Sequence, residues 1–268
     1  MTTTQTAATA TATQLLTPRP DDLERSWQRQ RLLRLGEDAG WYTYLAGDAL
    51  AGRFVLRLPD GVVRVLTRDT LLRSGACEAR RDEPTAWIVG QAYGHGRQDL
   101  LERIGALPAV YDRAETARRL GVAEPTINAH TRSGRLQPLF HARRRRHYFA
   151  DQIDAMNGDT AAAARWDELQ VGLPATTRID EITFRQDRPR RPLPVYPIAA
   201  DHVGARNNLA LNLAEGLGWL TFLAAGHDGA SYTIEVAGDR LELPGFAVLP
   251  FVWGLGDAHG KGDKVAYR

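Results

Sequence analysis

The chain contains a repeat. Laid over one another without a gap, residues 33–66, LRLGEDAGWYTYLAGDALAGRFVLRLPDGVVRVL, face residues 211–244, LNLAEGLGWLTFLAAGHDGASYTIEVAGDRLELP. Leu33, Leu35, Glu37, Gly40, Trp41, Thr43, Leu45 and Ala46 recur as Leu211, Leu213, Glu215, Gly218, Trp219, Thr221, Leu223 and Ala224. Tyr44 and Phe54 meet aromatics again at Phe222 and Tyr232. A repeat constrains a fold more tightly than local propensity does, because both copies must reach one local structure.

The pattern within each copy predicts that structure. Phe54, Leu56 and Leu58 alternate with polar or smaller residues, as do Tyr232, Ile234 and Val236, the signature of strands with one buried face. Turns follow at Pro59-Asp60-Gly61 and at Gly238-Asp239, residues that accept the positive φ of hairpins. The preceding segments 21–40 and 200–218 read as helices stopped by glycine. Each copy is therefore a helix, a strand and a β-hairpin, an internal duplication. The two copies either share a core about a pseudo-twofold axis or stand apart as two lobes.

The segment between the copies, 110–157, reads VYDRAETARRLGVAEPTINAHTRSGRLQPLFHARRRRHYFADQIDAMN. Asp112 and Glu115 have capping-box spacing, so a helix starts after Asp112 and runs to Leu120, where Gly121 stops it. Pro125 suits the first turn of a second helix, since proline there forfeits no intrahelical hydrogen bond. Ala117, Leu120, Val122 and Ile127 are spaced for a shared apolar centre between the two helices. This is a helix-turn-helix.

In its runs ETARRLGV, PTINAH and SGRLQP, its arginine-rich hairpin and its closing YFADQIDAM, the segment resembles the winged helix-turn-helix of the MerR superfamily, especially the excisionase-like branch. The resemblance implies a recognition helix in the major groove, a wing after Gly134-Arg135-Leu136, and a short closing helix at 151–156. Two residues depart from the family pattern: Ala123 stands where a Ser or Thr cap is usual, and His130 where an aromatic is common. The first costs about 1 kcal/mol of capping.

The fold class is thus α+β, a central winged helix-turn-helix flanked by two related helix-plus-antiparallel-sheet units. The boundaries are a disordered tail 1–18, an N-terminal unit 19–107, the winged domain 108–158, a connecting helix with a Pro/Arg-rich linker 159–200, and a C-terminal unit 201–268. The stretch FRQDRPRRPLPVYPIAAD at 184–201 favours extended polyproline backbone. It is either a semi-rigid spacer or an arm whose Arg185, Arg188, Arg190 and Arg191 touch DNA. The end, GDAHGKGDKVAYR, reads as a mobile polar tail.

Charge is local rather than global. The net charge is only +2, yet between Tyr111 and Tyr148 nine arginines face three acids. Cations that neutralise phosphates release counterions and supply non-specific affinity. The resemblance puts Thr126, Asn128 and Arg132 on the exposed face of the recognition helix, with Arg135 following it and Ile127 turned inward. Asn can pair bidentately with adenine and Arg with guanine, so these positions are candidates for reading bases, the alternative for Thr126 and Asn128 being ordinary solvated surface. Arg143, Arg144, Arg145 and Arg146 form the wing tip, anchored by Phe140 and by Tyr148 or Phe149. Strand alternation lets two or three of the four reach backbone or minor groove.

Other chemistry finds no footing in the sequence. Cys77 is the single cysteine, so no internal disulfide or multi-cysteine zinc site is expected. The histidines at 95, 130, 141, 147, 202, 227 and 259 lack metal-ligand spacing, and no metal or cofactor is expected. YGHGRQDLLERIG at 93–105 lacks the phosphate-loop pattern and reads as a turn with a connecting helix. No hydrolase, zincin or kinase signature occurs, so an enzyme is not expected. The opening MTTTQTAATATATQ lacks signal-peptide character, and no apolar run approaches the ~20 residues of a membrane span. The reading is a cytoplasmic, sequence-specific binder of double-stranded DNA, a transcriptional regulator. Its alternatives are an architectural factor in recombination, phage or plasmid maintenance, and an interaction protein whose winged domain has lost DNA binding. Readers of this type commonly act in pairs, so a homo-oligomer through the flanking units is expected.

Overall fold

The structure, a computed structural model, describes residues 2–17, 22–48, 53–74, 77–141, 145–169 and 200–262. In chain order it begins with helices α1 (Thr2–Leu16) and α2 (Asp22–Asp38) and strands β1 (Thr43–Asp48), β2 (Arg53–Arg57), β3 (Val63–Ser74) and β4 (Cys77–Asp82). Helices α3 (Glu83–Gly94) and α4 (Asp99–Glu102) follow. The middle holds β5 (Val110–Asp112), α5 (Arg113–Leu120), α6 (Glu124–Arg132), β6 (Pro138–His141), β7 (Arg145–Phe149), α7 (Ala150–Met156) and α8 (Thr160–Leu169). The last part is α9 (Ala200–Gly216), β8 (Thr221–Ala225), β9 (Ser231–Val236), β10 (Asp239–Pro244) and α10 (Gly245–Ala258). Helices and three small antiparallel sheets make an α+β protein.

Two compact units divide the chain: Arg19–Val65 with Ile104–Glu181, and Met1–Pro18 with Leu66–Arg103 and Ile182–Arg268. The boundary falls inside β3, not at the 107/108 and 158/159 positions drawn from the sequence. Packing explains the difference in the first unit. Trp27 of α2 stacks edge-on against Phe149 of β7, with ring centroids 5.9 Å apart, and Phe149 in turn meets Trp166 of α8 at 5.4 Å. Leu23, Leu107, Leu139 and Leu169 complete this apolar cluster, and the Trp27 indole donates to the Gly105 carbonyl. Burying that much aromatic surface ties α2 to the central segment, far along the chain.

In the second unit α1 is not a disordered tail. The Thr/Ala tract forms a helix, and Ala12, Leu15 and Leu16 are buried where it packs on β10 and α4. Packing of the late apolar residues holds a helix that the tract's own composition does not announce. Glycines, tryptophan and proline in α10 concealed a second helix: Gly256, Asp257 and Ala258, assigned to a polar tail, are its last turn. The Pro/Arg-rich linker, and the residues after 262, lie outside the described residues.

The repeated segments reach the same local geometry. Helix α2 stops through Gly40 (φ +76°) and α9 through Gly218 (φ +73°). In each, the following tryptophan N–H reaches back five residues, Trp41 to the Gly36 carbonyl (3.1 Å) and Trp219 to that of Ala214 (3.0 Å). Glu37 then accepts the Tyr44 N–H at 2.9 Å, and Glu215 the Phe222 N–H at 3.0 Å. Each first strand bulges once, between Tyr44 and Ala46 and between Phe222 and Ala224. Two readings need correction. Phe54, Val55 and Leu56 are all buried, so β2 is covered on both faces instead of alternating. The second hairpin turns at Ala237-Gly238, with Asp239 already paired to Val236.

Candidate nucleic-acid interface

The central segment builds one small body inside its unit. Strand β7 lies between β5 and β6, pairing Val110 with Phe149 on one side and Pro138 with Tyr148 on the other. Helices α5 and α6 close over one face, where Ala117, Ile127, Leu136, Tyr148 and Ile153 form a core joined by Tyr111, Leu120, Val122 and Met156. Because side chains alternate along β7, Tyr148 enters this core while Phe149 enters the aromatic cluster with Trp27. The Tyr148 hydroxyl is satisfied there by Thr131, 3.0 Å away, whose own hydroxyl also bonds the Ile127 carbonyl.

The helix ends follow their sequence signals with one difference. The Asp112 carboxylate accepts the Glu115 N–H at 2.8 Å and caps α5, and Gly121 ends it at φ +64°. The reciprocal half of the capping box gives way to ion pairs, for Glu115 turns to Arg118 and Arg119. Helix α6 begins after Ala123, without a side-chain cap, and carries Pro125 in its first turn. At the far end Gly134 takes φ +74°. Gln152 of α7 accepts the Gln137 N–H and donates to the Arg135 carbonyl, which fixes the turn leading out of α6.

Arginine charge in this body is segregated by its partners. Arg113 pairs with Glu124 at 2.6 Å, and Arg118 and Arg119 pair with Glu115. Arg119 also lies 3.7 Å from Asp154 and stacks its guanidinium over the Tyr111 ring. The two guanidiniums hold the Glu115 carboxyl below the usual glutamate range. Arg132 and Arg135 are exposed at the other end of α6 and pair with no described carboxylate. Three cations thus serve the helix scaffold, while those at the helix exit keep their charge for solvent or a ligand.

The sequence-derived positions are distributed as follows. Thr126 and Asn128 lie half-buried on α6, and Ile127 points into the core. Arg146 of β7 donates to Asn128 Oδ1 at 3.3 Å, joining hairpin and helix. Arginine has only donors, so this contact fixes the amide orientation and leaves the Asn128 NH2 facing away from Arg146. Arg143 and Arg144 lie outside the described residues, and of Arg145 only its place in β7 is described. The Arg146 link was not anticipated, although the alternation that buries Tyr148 puts Arg146, two residues earlier, on the helix-facing side of β7. Among the described residues no cluster of His, Cys, Asp and Glu is arranged to hold a metal ion. No described helix is long and apolar enough to cross a membrane. Comparison with known protein families, with characterised proteins and with solved structures finds no match for this chain.

Proposed function

We propose that residues 110–156 are a winged helix-turn-helix that binds double-stranded DNA, and that the protein is a sequence-specific DNA-binding transcriptional regulator. The observation that carries this reading is the segregation of arginines. Carboxylates neutralise Arg113, Arg118 and Arg119, while Arg132 and Arg135 remain exposed beside the polar face of α6 and the Arg-bearing hairpin. A strand, two helices joined by a tight turn, and an antiparallel hairpin in that order is the geometry by which a helix enters a major groove with a wing beside it.

In this reading Arg132, grouped with the base readers from the sequence, is the last residue of α6 and instead contacts phosphate together with Arg135 and the hairpin arginines 143–146, while Thr126 and Asn128 meet base edges. The Asn128 NH2 supplies donors for acceptors in the major groove, and the oxygen, already accepting from Arg146, has a second lone pair for an exocyclic amino group.

Fluorescence anisotropy with duplexes selected from random sequence tests the reading. Binding is expected to weaken steeply with salt. Arg132→Ala should weaken all duplexes alike, whereas Asn128→Ala should lose about tenfold or more of the discrimination at one base pair. Absence of duplex affinity at low salt overturns the proposal in favour of a protein-interaction role.

A further inference from the structure

Helices α3 and α10 carry a second recurrence, and it sits where the two helices touch. Gly90 of α3 faces α10 so closely that an added Cβ would collide with the Phe251 carbonyl oxygen and lie 3.1 Å from the Leu255 nitrogen. Gly254 of α10 faces α3 in the same manner, against the Trp87 carbonyl oxygen and 3.1 Å from the Gln91 nitrogen. The contact is reciprocal: Trp87, Gly90 and Gln91 stand to α10 as Phe251, Gly254 and Leu255 stand to α3. One turn further on, a Cβ at Gly94 would lie 2.5 Å from that of Ala258.

The helices also end alike. His95 donates to the Gln91 carbonyl at 2.9 Å and His259 to that of Leu255 at 3.1 Å. Gly96 and Gly260, each at φ +64°, and then Arg97 and Lys261, at 2.7 Å to Ala92 and Gly256, repeat the same backbone bonds. All of these pairs keep one spacing along the chain, as the helix–hairpin repeat keeps its own. Each copy therefore continues past its hairpin into a further helix, with a longer β3–β4 passage in the first copy.

Both paired helices are deeply buried, each against its partner and further elements around it. Every residue of α3 from Glu83 to Tyr93 is buried, as are Ala247, Val248, Pro250, Phe251, Val252, Gly254, Leu255 and Gly256 of α10. A single copy would leave such a helix without cover, and a second copy is its natural partner. Here the second copy is in the same chain. Among the described residues the exposed large apolar side chains are Val63, Val65, Leu209 and Leu223, on three separate elements. These four are too few for the apolar centre of an obligate dimer interface.

We propose that the protein is a covalently tethered dimer of two helix–hairpin–helix copies, paired through α3 and α10, and that it engages DNA as a single chain. Its DNA site is then one asymmetric element and not a palindrome, a consequence that rests on the DNA-binding reading above. On this proposal the pairing within the chain takes the place of the homo-oligomer expected from the sequence.

Sedimentation equilibrium of the full chain across a hundredfold concentration range, with and without the selected duplex, is the test. We expect the mass of one 29.6 kDa chain throughout, one chain per shortest bound duplex, and a single uninterrupted footprint without twofold symmetry. A dimeric mass of the free protein, or two chains on a palindromic footprint, overturns the proposal. If no duplex is bound, the functional reading fails while the mass of the free chain still decides the pairing. Gly254→Leu drives a side chain into the Trp87 carbonyl and should expose both helices, giving association that rises with concentration. A Gly254→Leu chain that keeps wild-type circular dichroism and stays monomeric counts against the pairing. If that variant does not fold, Gly94→Ala, the mildest insertion at the same contact, should lower the midpoint of unfolding, and an unchanged midpoint also counts against it.

Discussion

Tyr93 is a residue whose ionisation the fold opposes. Burial first, and the charge of its partner Asp239 second, raise its pKa well above the usual value. The hydroxyl donates to Asp239 Oδ2 at 2.9 Å, and Asp239 is itself buried. A folded-state pKa above the unfolded one means stability that is complete below about pH 10 and lost as pH rises beyond it. Tyr42, buried and bonded to the Leu33 carbonyl, shifts in the same direction. Urea denaturation should therefore show a fall in stability above about pH 10, which Tyr93→Phe reduces in part. At neutral pH the same variant should cost about 1–3 kcal/mol, because Asp239 loses its buried donor. Ala237 invites the opposite change. At φ +50° it occupies the first position of a two-residue hairpin turn, where asparagine is favoured before glycine. Ala237→Asn should stabilise the protein by about 0.5–1 kcal/mol, read as a higher urea midpoint.

The helices of the central segment make a matched pair of tests. Helix α5 has a side-chain cap in Asp112 and α6 has none at Ala123. Asp112→Ala should lower stability by about 1 kcal/mol and Ala123→Ser should raise it by a similar amount, both measured by thermal unfolding. These elements were readable in sequence because local chemistry decides them: Gly121 supplies the left-handed stop, Pro125 the first turn, and Ile127 the inward face. Strand β9 was equally legible, with Tyr232, Ile234 and Val236 all buried. The missed elements are those that tertiary contact decides. Helix α10 is apolar around its whole circumference and carries Pro250, Gly254 and Gly256, so it shows no period and poor propensity until α3 is seen against it. Helix α1 looks like low-complexity sequence until Ala12, Leu15 and Leu16 are covered. At the candidate interface the residue types were legible and their partners were not. Nothing in the arginine run alone distinguishes Arg146, which bonds Asn128, from its neighbours.

Across the whole molecule charge and mass give different expectations. A net charge of +2 predicts weak general attraction to polyanions, and exposed arginines stand elsewhere too, at Arg53, Arg57, Arg206 and Arg240, so the proposed interface is distinguished by Arg132 and Arg135 at the end of α6. Binding should therefore track those residues and not the total charge. Replacing both Arg132 and Arg135 by alanine should reduce the slope of log affinity against log salt by about 2, close to 0.9 for each phosphate no longer neutralised. The α3–α10 pairing also sets an order of events. Helix α3 is made well before α10 and waits through the synthesis of everything between them. The central segment and α2, which pack on one another, are both made long before α10. A ribosome that stalls ahead of residue 245 thus releases a chain able to form its arginine-bearing body but holding a bare, glycine-notched helix. Such truncated products are natural clients for chaperones and proteases, and the arrival of α10 is what covers the notched face of α3.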